Sequence, residues 1–367
     1  MSNKPVQTEN FPHPREVSEL IGHETVERKL AELCNLGRVP PAILILGPKG
    51  IGKATLAYRL ARYVLTAGAT GVMSMFPDQD RDSLYVPLKD EVFSRVASQV
   101  HPDLFALEKG TNLRTGLERN EITIDEAREL QKFLKLTPAG FAPKIAIIDA
   151  ADEMNLNAAN SILKSLEEPP GDAMLILISH APRRLLPTIR SRCQNFTLRP
   201  LSRQNFGVVV HGMKGAPEES KLDILWELSQ GSPGRALAIL RYDGLKLYTQ
   251  LVQILITGPT IDFSVVHALA DTLSKKGSEH RFAMAMELLL VWLKRLITNS
   301  AYGTSLSSLI EGEEQALRRF HGARRLDHWA ELWENLNQRF YRAEKVHLDR
   351  KQVFISFFSA VSDLLYG

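Results

Sequence analysis

Cysteine is almost missing from this 367-residue chain, which has two, Cys34 and Cys193. They lie far apart, which excludes a disulfide framework and a four-cysteine zinc site within the chain, and fits a reducing cytosol. Long apolar runs are missing too. None reaches the roughly 18–20 residues that a membrane span needs, so no membrane partner is expected and the expected location is the cytoplasm. Charge of one sign is scarce: 45 basic against 42 acidic residues leave a net +3. That balance does not by itself ask for nucleic acid, because a dedicated binder shows a strongly basic face. The first residues, Met1 to Pro14, are polar and lack the apolar core of a signal peptide or anchor. They read as a flexible lead-in.

What is present is ordinary for a globular protein, with 44% apolar and 24% charged residues. Residues 16–37 have helical apolar spacing, broken near Gly22. Ala42-Ile43-Leu44-Ile45-Leu46 is a continuous apolar run, typical of a parallel strand buried on both faces. A helix is expected from Ala54 to Leu65. Residues 66–103 read as a surface insertion, partly helical around Glu91 to Ser98, and Leu104 to Leu107 as a second strand. Ile124 to Leu136 is an amphipathic helix with Asp125 as its expected N-cap. Ile145 to Ile148 form a strand ending at Asp149. Glu153 to Glu168 form a helix stopped by Pro169-Pro170. A further strand covers 173–178. Alternating strands and helices imply a parallel sheet with helices on both faces. After Pro200 strand-like runs nearly vanish and helices are expected to the end. The expected organisation is therefore a lead-in at 1–14, an α/β domain at 15–200, a small helical domain at 201–242 and a helical domain at 243–367.

Gly47-Pro48-Lys49-Gly50-Ile51-Gly52-Lys53 follows a buried strand and opens a helix. That context suits a phosphate loop: Gly47, Gly50 and Gly52 let backbone amides curl round an anion, the helix N-terminus favours it, and Lys53 adds a charge. The plainer alternative is a tight strand–helix turn. A hydrolysing loop wants Ser or Thr directly after the lysine to hold magnesium. Here Ala54 stands there and Thr55 comes one step late, rotated by about 100°. This weakens the case for Mg2+ without touching backbone phosphate binding. Asp149 reaches the end of its strand, where a carboxylate could meet a metal. The next residue, where a water-polarising glutamate belongs, is Ala150. Asp152 and Glu153 read as N-terminal helix residues with capping and dipole roles.

Arg183, Arg184, Arg190 and Arg192 crowd one loop between two strand-like runs. For Arg183 and Arg184 a solvated basic loop is the preferred reading. Arg192, just before a strand, differs: a planar guanidinium suits a γ-phosphate, and one inserted in trans can raise a rate by orders of magnitude. Cys193 reads as a packing residue, with no histidine partner evident. Arg235, in Gly231-Ser232-Pro233-Gly234-Arg235-Ala236, could reach a nucleotide or simply sit on a helix surface.

These segments, with Leu20-Ile21-Gly22-His23-Glu24, His101-Pro102-Asp103-Leu104, Asp149-Ala150-Ala151-Asp152-Glu153-Met154-Asn155 and Leu163-Lys164-Ser165-Leu166-Glu167-Glu168-Pro169-Pro170, resemble the clamp-loader branch of the AAA+ ATPases. The resemblance covers residues 15–240; beyond that it rests on helical texture. It implies an α/β P-loop AAA+ domain, a helical lid and an all-α collar for oligomerisation. It implies a subunit of the bacterial DNA polymerase III holoenzyme, in a hetero-pentamer with tau/gamma and delta subunits. That machine opens a sliding clamp and places it on primer-template DNA, and this subunit's own clamp contact would be weak or transient. By the same match Arg192 is a finger for the ATP site of a neighbouring motor subunit. Ser179 falls at the γ-phosphate sensor and Arg235 at the second sensor. Gly47, Gly50, Gly52, Lys53, Ala54, Thr55 and Asp149 would surround ATP or ADP held without efficient hydrolysis. Many relatives carry a four-cysteine zinc module after the P-loop helix; residues 66–103 contain no cysteine, so no zinc and no metal ligand is expected.

Two other readings compete. One is an active motor ATPase of the tau/gamma type, against which Ala54 and Ala150 stand. The other is a DNA-binding protein using Arg318, Arg319, Arg324 and Arg325. Glu311, Glu313 and Glu314 lie beside that cluster, which reads as a solvated helical face or a subunit contact.

Overall fold

The structure is a computed structural model that describes residues 12–69, 82–110, 121–171, 173–213, 216–256, 260–302, 308–346 and 349–366. The chain divides into two compact units. Among the described residues, the first holds those from 12 to Pro217 together with Gly231–Gly234; the second holds Glu218–Gln230 and those from Arg235 onward.

In the first unit the order is α1 (Glu24–Asn35), β1 (Ala42–Leu46), α2 (Lys53–Ala69), α3 (Glu91–Ala97), β2 (Leu104–Glu108), α4 (Ile124–Leu134), β3 (Ile145–Asp149), α5 (Leu156–Glu167), β4 (Met174–Ser179), α6 (Pro187–Arg190), β5 (Gln194–Thr197) and α7 (Arg203–His211). The strands form one parallel sheet in the order β2-β3-β4-β1-β5. Side chains alternate across the pleat. Ile43 and Ile45 face Leu30, Leu56 and Leu60 of α1 and α2, while Ala42 and Leu44 face Leu130 and Ile162 of α4 and α5. Burial on both faces is why β1, β3 and β4 read as unbroken apolar runs.

Four expectations change. The helix expected over 16–37 begins only at Glu24. Residues before it are held by α2 instead: Arg62 donates to the carbonyls of Arg15 and Val17 at 2.7 Å each, and Arg59 donates to that of Ser18. Those carbonyls are therefore spent on guanidinium groups, and Gly22 takes a left-handed φ of +82° just before α1. The N-cap of α4 is Thr123, which forms a capping box with Glu126; Asp125 lies inside the first turn. The helix expected from Glu153 starts at Leu156, capped by Asn155, whose side chain accepts from the Ala158 amide at 2.9 Å. The 66–103 insertion is not only a surface feature. Residues 70–81 lie outside the described residues, but Leu84, Val92 and Val96 join the core above α2. Buried Glu27 accepts from Arg59 and from the Leu84 amide, tying that segment down. Of the lead-in, residues 1–11 also lie outside; His13 is placed, 3.7 Å from Glu108 and edge-on to Tyr58.

The second unit is helical: α8 (Glu219–Ser229), α9 (Pro233–Arg241, from its third residue), α10 (Gly244–Ile256), α11 (Phe263–Leu273), α12 (Glu279–Tyr302), α13 (Glu313–Ala323), α14 (Leu326–Val346) and α15 (Arg350–Tyr366). Glu313 is not on a solvated face. It is fully buried and accepts from Arg295, from the Tyr248 hydroxyl and, at 2.6 Å, from the Leu309 amide. The nearby arginines are engaged at home: Arg319 donates to the Leu255 carbonyl and Arg324 to that of Leu364, both at 2.8 Å. No helix among the described residues is long and apolar enough to cross a membrane.

Candidate nucleotide site and arginine loop

Parallel α/β sheets present their ligand sites beyond the carboxyl ends of the strands. Here β1 ends at the glycine loop, β2 at Glu108, β3 at Asp149 and β4 at Ser179, all along that edge. The loop needs its glycines. Gly47 has φ +145°, and a Cβ there would fall 2.6 Å from the Leu198 carbonyl oxygen. Gly50 has φ +78° and accepts from the Gly234 amide at 2.9 Å. Ser232 Oγ donates to the Lys49 carbonyl at 2.7 Å. So the segment Gly231–Gly234 braces the crown of the loop from behind. Below it, buried His23 bonds the Ile51 carbonyl through Nε2 at 2.6 Å; a carbonyl only accepts, so Nε2 carries the proton, and burial lowers the ring's pKa.

Lys53 is the first residue of α2, only 3% exposed, and its ammonium donates to the carbonyls of Gly47 and Pro48. Burial lowers its pKa to about 8, against the pull of Asp149 and Asp152. Ala54 and Thr55 follow in the same turn and are half-buried. Asp149 is pushed up to about 6, first by burial and then by the carboxylates of Glu108 and Glu153. Ala150 behind it is 1% exposed. Ala54 thus sets a methyl where a metal-binding hydroxyl belongs, and the residue after Asp149 is a buried alanine. The amide-lined loop at the α2 N-terminus still suits a phosphate.

Asp152 and Glu153 do other work than capping. Asp152 accepts from the His180 amide at 2.8 Å, and Glu153 pairs with Lys109 at 2.7 Å. Ser179 is fully buried and its Oγ has no hydrogen-bond partner among the described residues; nor has Nδ1 of His180, whose pKa burial lowers to about 4. His13, Lys49, Glu108, Lys109, Asp149, Ala150, Glu153 and His180 line a cavity of about 250 Å³ at this edge. Glu108, Lys109 and His180 were not singled out from sequence. Their only signal was position, each at or just past the end of a strand.

The comparisons with known proteins decide the lineage. The family described as "DNA polymerase III, delta subunit" matches residues 22–202. The DNA polymerase III subunit delta′ of Pseudomonas aeruginosa is 36% identical over 198 residues, 52% of this chain and 53% of that relative. The delta′ subunit of Escherichia coli K12 is 30% identical over 271 residues, 73% of this chain and 74% of the relative. The chain belongs to the DNA polymerase III delta′ family. Its match thus spans about half of one of these delta′ relatives and about three quarters of the other. The tau subunit of E. coli, at 25% identity over 284 residues, is more distant.

The second feature of this delta′-family chain is the arginine loop. Arg192 lies between α6 and β5, at the amino end of β5. Gln194, the first residue of β5, pairs with Ile43, near the start of β1. The glycine loop begins four residues further along β1, about 13 Å away at 3.3 Å per residue. Arg192 and the phosphate loop are thus at opposite edges of one sheet. Arg192 is ion-paired with Glu167 and donates to the Thr188 carbonyl at 3.0 Å. Arg183, Arg184 and Arg190 are exposed. Cys193 is buried, and burial pushes its thiol up to about 11. In the helical unit Arg235 pairs with Glu287 at 3.3 Å and bonds the Gln230 side chain at 3.4 Å.

Proposed function

We propose that this chain acts as the delta′ subunit of a DNA polymerase III clamp loader: it hydrolyses little or no ATP itself and supplies Arg192 to the ATP site of a neighbouring motor subunit. The placement of Arg192 carries this reading. At the far edge of the sheet it cannot serve its own loop, and an arginine finger belongs where a second subunit's phosphate can meet it. The defects at Ala54 and Ala150 support it from the other side.

In this reading Gly47, Gly50, Gly52, Lys53, Ala54 and Thr55 hold the phosphates of ATP or ADP, with Asp149, Ser179 and Arg235 as further nucleotide-facing positions and no metal-driven turnover. Residues 201–242 act as a lid and 243–367 as a collar. The partners are tau/gamma and delta subunits in a hetero-pentamer, with the sliding clamp and primer-template DNA met within the complex, in the cytoplasm.

Reconstitution tests it. Arg192→Ala should leave assembly intact and lower the ATPase and clamp-loading rates of the complex by about tenfold or more. Unchanged rates would refute the finger. Appreciable magnesium-dependent ATPase from the purified chain would favour the motor reading instead.

A further inference from the structure

Glu167 is the last residue of α5, followed by Glu168 and Pro169-Pro170. A helix C-terminus carries partial negative charge from its open carbonyls, so cations are favoured there and carboxylates are not. Two successive glutamates therefore stand where the helix itself disfavours them. The contact that accounts for Glu167 comes from another element: it is ion-paired with Nη2 of Arg192. Nη1 of the same guanidinium donates to the Thr188 carbonyl at 3.0 Å, in the helix that precedes the finger. Two anchors on two elements thus hold one flexible side chain.

Building on the reading of Arg192 as a finger, we propose that Glu167 is its positioning residue. It fixes the guanidinium in place before a neighbour's nucleotide arrives. A guanidinium has five N–H donors. Thr188 takes one and Glu167 draws on Nη2, and the side chain is still 33% exposed. Donors therefore remain for a phosphate while both anchors persist, so the carboxylate braces the finger and does not compete for it. Rotamer freedom that a free arginine would lose on docking is already lost here. The effect of Glu167 belongs to turnover more than to nucleotide affinity, because a finger acts on charge that develops in the transition state.

The test uses the fully assembled complex with its ATP-hydrolysing subunits. Arg192→Ala sets the floor. Glu167→Ala is expected to lower kcat about 3- to 10-fold toward that floor, with KM for ATP within about twofold of wild type. Glu167→Gln keeps an acceptor oxygen and should recover at least about half of the wild-type rate. The melting temperature of the chain should stay level or rise in Glu167→Ala, since a carboxylate leaves a helix C-terminus. A purely structural role would instead lower the melting temperature and the yield of complex. If Arg192→Ala lowers kcat but Glu167→Ala leaves it unchanged or raises it, the positioning role is overturned and the finger stands. If Arg192→Ala changes nothing, both are overturned.

Discussion

The Lys53 ammonium donates to the carbonyl of Gly47, the first residue of its own loop, at 2.7 Å. The loop's one buried cation is thereby closed onto its own backbone. A phosphate must displace these carbonyls to reach it.

Lys53 should leave a mark on stability at alkaline pH. Burial lowers its pKa from 10.5 to about 8 in the folded chain. Between those values the unfolded chain binds more protons, so stability rises with pH there, while the penalty is constant below pH 8. Lys53→Met should flatten that rise, which is worth about 1–3 kcal/mol. Urea midpoints at pH 7, 9 and 10 check it; parallel curves for variant and wild type would contradict it.

Asp149 has the opposite profile. Its folded pKa of about 6 lies above the ordinary 3.8. Between them the folded chain binds more protons, so stability falls as pH rises through that window and the penalty is complete above pH 6. Asp149→Asn should stabilise by about 1–3 kcal/mol at pH 7 and by nothing below pH 3.8. Calorimetric melting at pH 7 and pH 3.5 distinguishes this from a pH-independent packing effect.

Gly234→Ala should disturb the phosphate loop from behind. Its Cβ would fall 2.7 Å from Gly50 Cα, a backbone atom that cannot swing away. A cost of about 1–3 kcal/mol is expected, with faster amide exchange at residues 48–52 by hydrogen-exchange mass spectrometry. Gly277→Ala serves as a control: its φ is strained at +87°, yet no described residue lies within 4 Å of the added carbon. It should leave exchange in the loop unchanged.

Glu313 and Arg295 form a buried pair whose halves depend on each other. Glu313→Leu alone takes the carboxylate away from buried Arg295, which keeps its bond to the Tyr248 hydroxyl, and should cost about 3–5 kcal/mol. Arg295→Met together with Glu313→Leu should cost much less, because both charges leave the core. A double-mutant cycle by urea unfolding measures the difference; additive costs would show that the pair is not coupled.

Sequence patterns revealed what neighbouring residues decide. The runs at 42–46, 145–148 and 173–178 announced buried parallel strands, which the structure places at Ala42–Leu46, Ile145–Asp149 and Met174–Ser179, and the glycine spacing announced the loop between β1 and α2. They could not reveal bonds made across long separations. Arg62 takes the carbonyls of Arg15 and Val17, and so the helical spacing of residues 17–21 comes to nothing. Glu313 lies among charged neighbours in sequence, yet its partners Arg295 and Tyr248 come from two other helices and bury it. The same holds for Glu167 and Arg192, 25 residues apart, and for the Lys109–Glu153 pair at the mouth of the cavity.

The opposite-edge placement of Arg192 and the glycine loop gives the first unit a direction. A protein that offers a cation on one side and a phosphate cradle on the other joins its neighbours head to tail, by two unlike surfaces. In the proposed reading, in which the cradle does not turn over, the chain keeps its giving side and loses the use of its receiving side. Such a subunit can follow a motor in a ring but cannot gain from having a finger placed behind it. In the proposed assembly its position is therefore fixed by polarity: it stands at one terminus of the row of working sites.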